Sequence, residues 1–126
     1  MPKVLIVEDE PLIRLLLEQT LEGLESCGVE VCAADNGIDA VEKIKAERPE
    51  LVLLDVMMPK MNGFEVCSIV KQQLQLKEVY IIMLTAKGQE QDRLKAIEAG
   101  TDEFITKPFS IVEVADRVKA VLKIRM

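Results

Sequence analysis

Short runs of aliphatic residues alternate along this chain with stretches whose apolar positions recur at helical spacing. KVLIVE (Lys3–Glu8) predicts a first buried strand, and Pro11 suits the opening position of a helix carrying Leu12, Leu15, Leu16 and then Leu24. VEVCAA (Val29–Ala34) predicts a second strand, closed by the turn signal DNG and followed by a helix with Ile38, Val41 and Ile44. Pro49 punctuates before LVLLD (Leu51–Asp55), a third strand, after which Asn62 and Glu65 match a capping box opening a helix with Val66, Cys67, Ile69 and Val70. YIIMLT (Tyr80–Thr85) is the fourth strand, and its helix, with Leu94 and Ile97, ends at Gly100. EFITK (Glu103–Lys107) is the fifth. Ser110 and Glu113 make another capping box for a last helix lined by Ile111, Val114, Ala115, Val118, Val121 and Leu122.

The strands are apolar throughout rather than alternating, which predicts a parallel sheet covered on both faces. Five such strand–helix units in 126 residues predict an α/β, doubly wound five-stranded sheet with helices on both faces. In such a sheet the site lies beyond the carboxyl ends of the strands. No linker or shift of composition divides residues 1–126, so a single domain is expected.

Composition narrows the chemistry. Aromatics make up 3% of the chain, so the core has to be aliphatic. A formal charge of −6 argues against contact with a phosphate backbone, so no direct nucleic-acid partner is expected. No signal segment and no apolar run of spanning length occurs, which points to a cytoplasmic protein without membrane contact. Cys27, Cys32 and Cys67 have neither metal-ligand nor disulfide spacing and are expected to act as small buried hydrophobes. Histidine is absent, which excludes Ser-His-Asp and Cys-His nucleophiles and most zinc catalysis. Carboxylates, lysine, hydroxyls, backbone and a bound ion remain.

The strand ends supply those groups. The first delivers Glu8, Asp9 and Glu10, the third Asp55, the fourth Thr85 and Ala86, and the fifth Lys107 followed by Pro108. Any one acid here would be an ordinary cap or loop residue. Acids from two strands, a hydroxyl from a third and a lysine from a fourth make a coincidence that chance rarely supplies. Clustered carboxylates do not all ionise without a cation, and an all-oxygen ligand set fits Mg²⁺.

VLIVEDEP, LVLLDVMMPKMNGFE, IIMLTA and EFITKPF, in this order and spacing, resemble the signatures of the receiver domain of bacterial response regulators. The resemblance covers the whole chain and implies the flavodoxin-like fold of the chemotaxis response regulator, with strand order 2-1-3-4-5. It implies that Asp55 accepts a phosphoryl group from a sensor histidine kinase or phosphotransfer protein. Glu8, Asp9, Asp55 and the backbone carbonyl of Met57 would hold Mg²⁺, with Mn²⁺ as a substitute. The Met57 side chain would overhang the site. Lys107 and the backbone amide of Ala86 would bind phosphoryl oxygens. Thr85 and Phe104 match the switch pair, Lys87 occupies the position that tunes attack of water, and Lys107–Pro108 matches a cis peptide. The domain would catalyse only its own phosphorylation and dephosphorylation and turn over no metabolite.

The same resemblance implies that phosphorylation shifts the fourth helix, fifth strand and fifth helix between two packings, for a downstream partner or a second copy. That face carries Arg93, Asp102, Glu113, Arg117 and Lys119, of which Asp102, Glu113, Arg117 and Lys119 resemble the ion-pairing set with which winged-helix transcription-factor regulators dimerise. Choice of kinase would rest on surface positions near the first helix, such as Leu15, Glu18 and Gln19.

Competing readings fit less well. A degenerate receiver, acting as a phosphorylation-independent interaction module, should lack some required residue, and here every position is filled. An aspartyl-nucleophile phosphatase places a second acid two residues after the nucleophile, where this chain has Met57. A flavin carrier of this topology needs a hydroxyl- and glycine-rich phosphate loop, and EDEPLIR offers three acids instead. The sequence stops at KIRM without an output module. The dimerisation charges point to a longer parent protein and the missing linker to a stand-alone regulator.

Overall fold

The computed structural model describes residues 2–58, 60–86, 90–107 and 109–122, with backbone only at 27, 86 and 90–92. The strands are β1 (Lys3–Val7), β2 (Glu30–Ala34), β3 (Leu51–Asp55), β4 (Tyr80–Ala86) and β5 (Glu103–Lys107). Between and after them run α1 (Pro11–Glu22), α2 (Gly37–Glu47), α3 (Gly63–Ser68), α4 (Glu90–Ala99) and α5 (Ile111–Leu122). A 3-10 turn, Glu25–Cys27, follows α1, and α3 continues into a π-helical segment, Ile69–Gln73. All strand pairs are parallel, in the order β2-β1-β3-β4-β5. The doubly wound sheet expected from the uninterrupted apolar runs is therefore present.

Strand residues alternate between two cores. Val4, Ile6, Leu51, Leu53, Ile82, Leu84 and Ile105 pack under α1 and α5, against Leu17, Leu21, Val114 and Val118. Leu5, Val7, Val52, Leu54, Ile81 and Met83 pack against Ala40, Ile44, Val66, Cys67, Val70, Ala96 and Ala99 of α2, α3 and α4. The aliphatic sheet is thus a middle layer, sealed on both sides by helices.

The helix faces differ from expectation in four places. On α1, Leu12, Leu15 and Leu16 are exposed, and the buried stripe is Leu17 and Leu21, continued by Leu24 beyond the helix. On α2, Ile38 is exposed while Ala40 and Ile44 are buried. On α4, Leu94 and Ile97 face outward, and the helix approaches the sheet through Ala96 and Ala99. On α5, Ile111 is exposed beside Val112, and Val114 and Val118 carry the buried face. In each case the helix buries one narrow stripe, and the bulkier residues beside it fall outside.

The caps follow the sequence, except that the Ser110–Glu113 box shows only one of its two bonds among the described residues. Glu10 precedes Pro11 at the start of α1. Asn62 and Glu65 close a reciprocal capping box on α3, and Ser110 accepts from the Glu113 amide at 2.9 Å. Asn36 is more than a turn residue, since it caps α2 by accepting from Asp39 N at 2.8 Å. Gly100 ends α4 at φ 97°, in the left-handed region that glycine adopts freely. Cys67 is buried and Cys32 half-buried; the side chain of Cys27 lies outside the described residues.

Candidate functional site

At the carboxyl edge of the sheet, β1 hands over to Glu8 and Asp9, β3 ends in Asp55, and β5 ends in Lys107. Continuing the alternation from Val4 and Ile6, Glu8 falls on the α1–α5 side, as do Asp55 after Leu53 and Lys107 after Ile105. The three side chains therefore meet although 99 residues separate the outermost two. Lys107 Nζ donates to Asp55 Oδ1 at 2.7 Å and to Glu8 Oε1 at 3.3 Å. Glu8 and Asp55 are almost fully buried, at 1% and 3% exposure. One carboxylate oxygen from each of Glu8, Asp9 and Asp55 lies within 4.8 Å of the others.

The local backbone fixes this arrangement. The Glu8 amide donates to Ala34 O at 3.1 Å, and Arg14 Nη1 from α1 donates to the Glu8 carbonyl at 3.0 Å. The Glu10 amide donates to Glu8 Oε2 at 3.3 Å. Below Asp55, Gly63 N donates to Val56 O at 2.9 Å, drawing the start of α3 against the end of β3. A β-carbon at Gly63 would sit 2.5 Å from the Asp55 carbonyl oxygen, so only glycine fits this approach.

Electrostatics follow from the crowding. Burial, then the neighbouring Asp55 charge, raise the Glu8 carboxyl to about 7, against the opposing pull of Lys107. Burial alone would lower Lys107, but its hydrogen bond and charge contact with Asp55, then with Glu8, outweigh this and hold it above its ordinary value. One ammonium thus faces two buried acids and cannot neutralise both. The surplus negative charge and the all-oxygen donor set fit a hard divalent cation.

Thr85, near the end of β4, is 1% exposed, and its hydroxyl has no hydrogen-bond partner among the described residues. A buried, unsatisfied hydroxyl is unstable company unless something arrives to bond it. Phe104 lies opposite Met83 on β5 and packs, half-buried, on the α2–α4 side, with the Arg93 guanidinium 4.6 Å from its ring centre. Ala86 ends β4 opposite Lys107. The Met57 side chain is 71% exposed, beyond Asp55. Lys87, Pro108 with its expected cis peptide, and residues 123–126 lie outside the described residues.

The charged face is paired differently from the sequence reading. Asp102 turns inward: its Oδ2 meets Lys71 Nζ at 2.8 Å and accepts from Ile81 N at 2.8 Å. Arg117 pairs with Glu103, through Nε to Oε1 at 2.8 Å and Nη2 to Oε2 at 2.5 Å. Glu113 and Lys119 stand on α5, Glu113 exposed and Lys119 half-buried. Glu103 and Lys71 were not singled out from the sequence. Glu103 was legible, because it shares the α1–α5 side with Ile105 and Lys107; Lys71 follows Val66, Cys67 and Val70 on the buried side of α3.

The model of the response regulator receiver domain matches residues 4–119. This chain belongs to that family. Receiver domains are signalling domains of two-component systems; as general family features, they take a phosphoryl group on aspartate, bind Mg²⁺ in an acidic pocket, and interact with histidine kinases and downstream effectors. The chain is 45% identical over 121 residues to the alkaline phosphatase synthesis transcriptional regulatory protein PhoP of Bacillus subtilis, covering 96% of this receiver and 48% of that protein. It spans about half the length of the curated relatives it matches. A putative response regulator from Chloroflexus aurantiacus superposes with a TM-score of 0.86 at 34% identity, covering 98% of this chain and 99% of that one. The receiver domain of the sensor histidine kinase PA1611 from Pseudomonas aeruginosa, solved with a magnesium ion in its active-site cleft, superposes with a TM-score of 0.85 at 28% identity, covering 97% and 98%. Among the described residues no helix is long and apolar enough to cross a membrane.

Proposed function

We propose that Asp55 is the phospho-acceptor of this receiver and that Glu8, Asp9, Asp55 and the Met57 carbonyl hold its divalent cation, Mg²⁺ or Mn²⁺. The observation that carries the reading is the pair of buried acids, Glu8 and Asp55, bonded to one lysine, with a buried Thr85 hydroxyl near the end of β4 that has no partner among the described residues. An Asp55 carboxylate oxygen attacks phosphorus of a kinase phosphohistidine; the P–N bond breaks, the imidazole leaves, and an acyl phosphate forms. The cation supplies charge neutralisation for phosphoryl oxygens and keeps the acids ionised. Lys107 leaves its 2.7 Å bond to Asp55 for a phosphoryl oxygen and neutralises the charge that develops there. The Ala86 amide provides a further donor.

Phosphorylation adds a charge of roughly −1.5 to −2 and strong acceptors at one point. The Thr85 hydroxyl, without a partner among the described residues, gains one by turning toward the new oxygens. Phe104, on the same side of the sheet, moves into the space released and away from Arg93. The α4–β5–α5 face, with exposed Leu94 and Ile97 among Arg93, Glu113, Arg117 and Lys119, is then the surface for a second copy or a downstream protein. On α1, Leu12, Leu15 and Leu16, at 79%, 49% and 40% exposure, begin directly after the acidic cluster and offer the kinase an apolar docking strip flanked by Glu18 and Gln19. The domain acts in the cytoplasm, by protein contact rather than by binding nucleic acid.

Intact mass after incubation with Mg²⁺ and a small acyl phosphate tests the reading. One added phosphoryl group is expected on the wild type, lost in Asp55→Ala and blocked by chelator. No adduct, together with no beryllofluoride complex, would sink it.

A further inference from the structure

At the opposite end of the sheet from Asp55, Tyr80 opens β4 and Glu103 opens β5, and neither takes part in the phosphoryl chemistry. The Tyr80 hydroxyl donates to Glu103 Oε2, and Arg117 of α5 donates to both carboxylate oxygens. Glu103 is therefore closed by donors of its own chain. The Arg117 hydrogen bonds are the main reason its carboxyl lies below the ordinary range. Burial, then the bond to Glu103, push the Tyr80 phenol up to about 12, so it remains a donor at any physiological pH. Its ring is half-buried against the layer of Val4, Ile82 and Val118, which fixes where the hydroxyl points.

We propose that Tyr80 is a lock on the α4–β5–α5 face, holding Glu103 and Arg117 paired within one chain and so weakening association with a second copy. The inference rests on the reading of that face as the activated surface. Arg117 is exposed and Glu103 half-buried at the rim of that face, with opposite charges, so a two-fold arrangement of two copies can exchange the pairs like for like. Tyr80 cannot follow such an exchange. When the carboxylate swings outward to a second copy, the phenol stays behind, half-buried and without its acceptor. The cost falls on the dimer alone. Asp102 takes no part in the exchange, because Lys71 and the Ile81 amide hold it inward.

The test is sedimentation velocity over a concentration series for the Mg²⁺–beryllofluoride forms of wild type, Tyr80→Phe and Arg117→Ala, with side-chain ¹⁵N exchange of Arg117 Nε–H measured in the unloaded monomers. Tyr80→Phe is expected to dimerise at least about tenfold more tightly than wild type, the scale of one lost hydrogen bond to a charged group. Its Arg117 Nε–H should exchange faster in the monomer, and Arg117→Ala should associate more weakly than either. Equal association of wild type and Tyr80→Phe, where Arg117→Ala is impaired, would overturn the lock and leave the face intact. Association indifferent to Arg117→Ala, or absent from wild type and Tyr80→Phe alike, would overturn the reading of the face, and the inference with it. Unchanged Arg117 exchange in Tyr80→Phe would overturn the lock whatever the dimers do.

Discussion

Lys107 at the end of β5 reaches past the intervening strand β4 to bond Asp55 at the end of β3, at 2.7 Å. This one ion pair ties β3 to β5 across β4 at the carboxyl edge, and its lysine also meets Glu8, just beyond β1. Removing the ammonium leaves two buried acids facing each other. Lys107→Ala should slow phosphorylation of Asp55 by about 10²-fold, the scale of losing one positioned donor. The rate of mass gain from an acyl phosphate at saturating Mg²⁺ is the check. A rate within twofold of wild type would remove Lys107 from the chemistry.

The Glu8 carboxyl gives the metal site a pH dependence whose sign is fixed. Its pKa rises from an ordinary 4.5 to about 7 in the metal-free fold. Between these values the folded chain holds a proton that the unfolded chain has lost. This contribution to stability is fully present below 4.5 and is lost as pH rises through about 7. Mg²⁺ competes for the same oxygen, so its affinity should climb from pH 6 to pH 7 and level off above. Calorimetric titration in buffers of different ionisation enthalpy should show proton release near pH 6.5 and little at pH 8.5. Glu8→Gln should abolish the release.

Gly63 stands where a β-carbon would lie 2.5 Å from the Asp55 carbonyl. Gly63→Ala must therefore push α3 away from β3, at a cost of about 1–3 kcal/mol for overpacking a closed contact. Because the clash falls on the acceptor residue itself, the phosphorylation rate should fall with stability. Urea melts and acyl-phosphate kinetics on the same sample test both halves. A stable variant with normal kinetics would show that the approach is not needed.

Strand boundaries were legible because uninterrupted aliphatic runs bounded by Pro, Gly and Asp leave few alternatives. LVLLD and EFITK form β3 and β5 without change, and the others shift by one residue at an end. The acidic edge was legible for the same reason, since a doubly wound sheet must bring Glu8, Asp55 and Lys107 to one side. Which helical residues meet the sheet was not. Leu94 and Ile97 outrank Ala96 and Ala99 in hydropathy, yet the close approach of α4 admits only the smaller side chains. The pairing of charges was also hidden, because Asp102 and Glu103 are sequence neighbours pointing to opposite sides of the sheet. Only the three-dimensional positions of Lys71 and Arg117 decide which acid each one takes.

That division of labour between Asp102 and Glu103 makes the last prediction. Lys71 Nζ is bonded by Val79 O at 2.6 Å and Lys77 O at 3.2 Å as well as by Asp102, and its side chain is 9% exposed. It fastens the tail of α3 to the start of β4 and to the α4–β5 junction. Asp102→Ala strips the buried ammonium of its only carboxylate among the described residues and leaves the Ile81 amide unbonded. A loss of about 1–3 kcal/mol is expected, the scale of leaving a buried donor unsatisfied, because the Asp102 side chain is itself 30% exposed. Arg117→Ala opens a pair at the surface and should leave the melting curve nearly unchanged while weakening self-association. Chemical denaturation of both variants, beside sedimentation of their beryllofluoride forms, separates the two roles. If Asp102→Ala melts like wild type but fails to associate, then Asp102 is an interface residue and the inward pairing with Lys71 carries no weight.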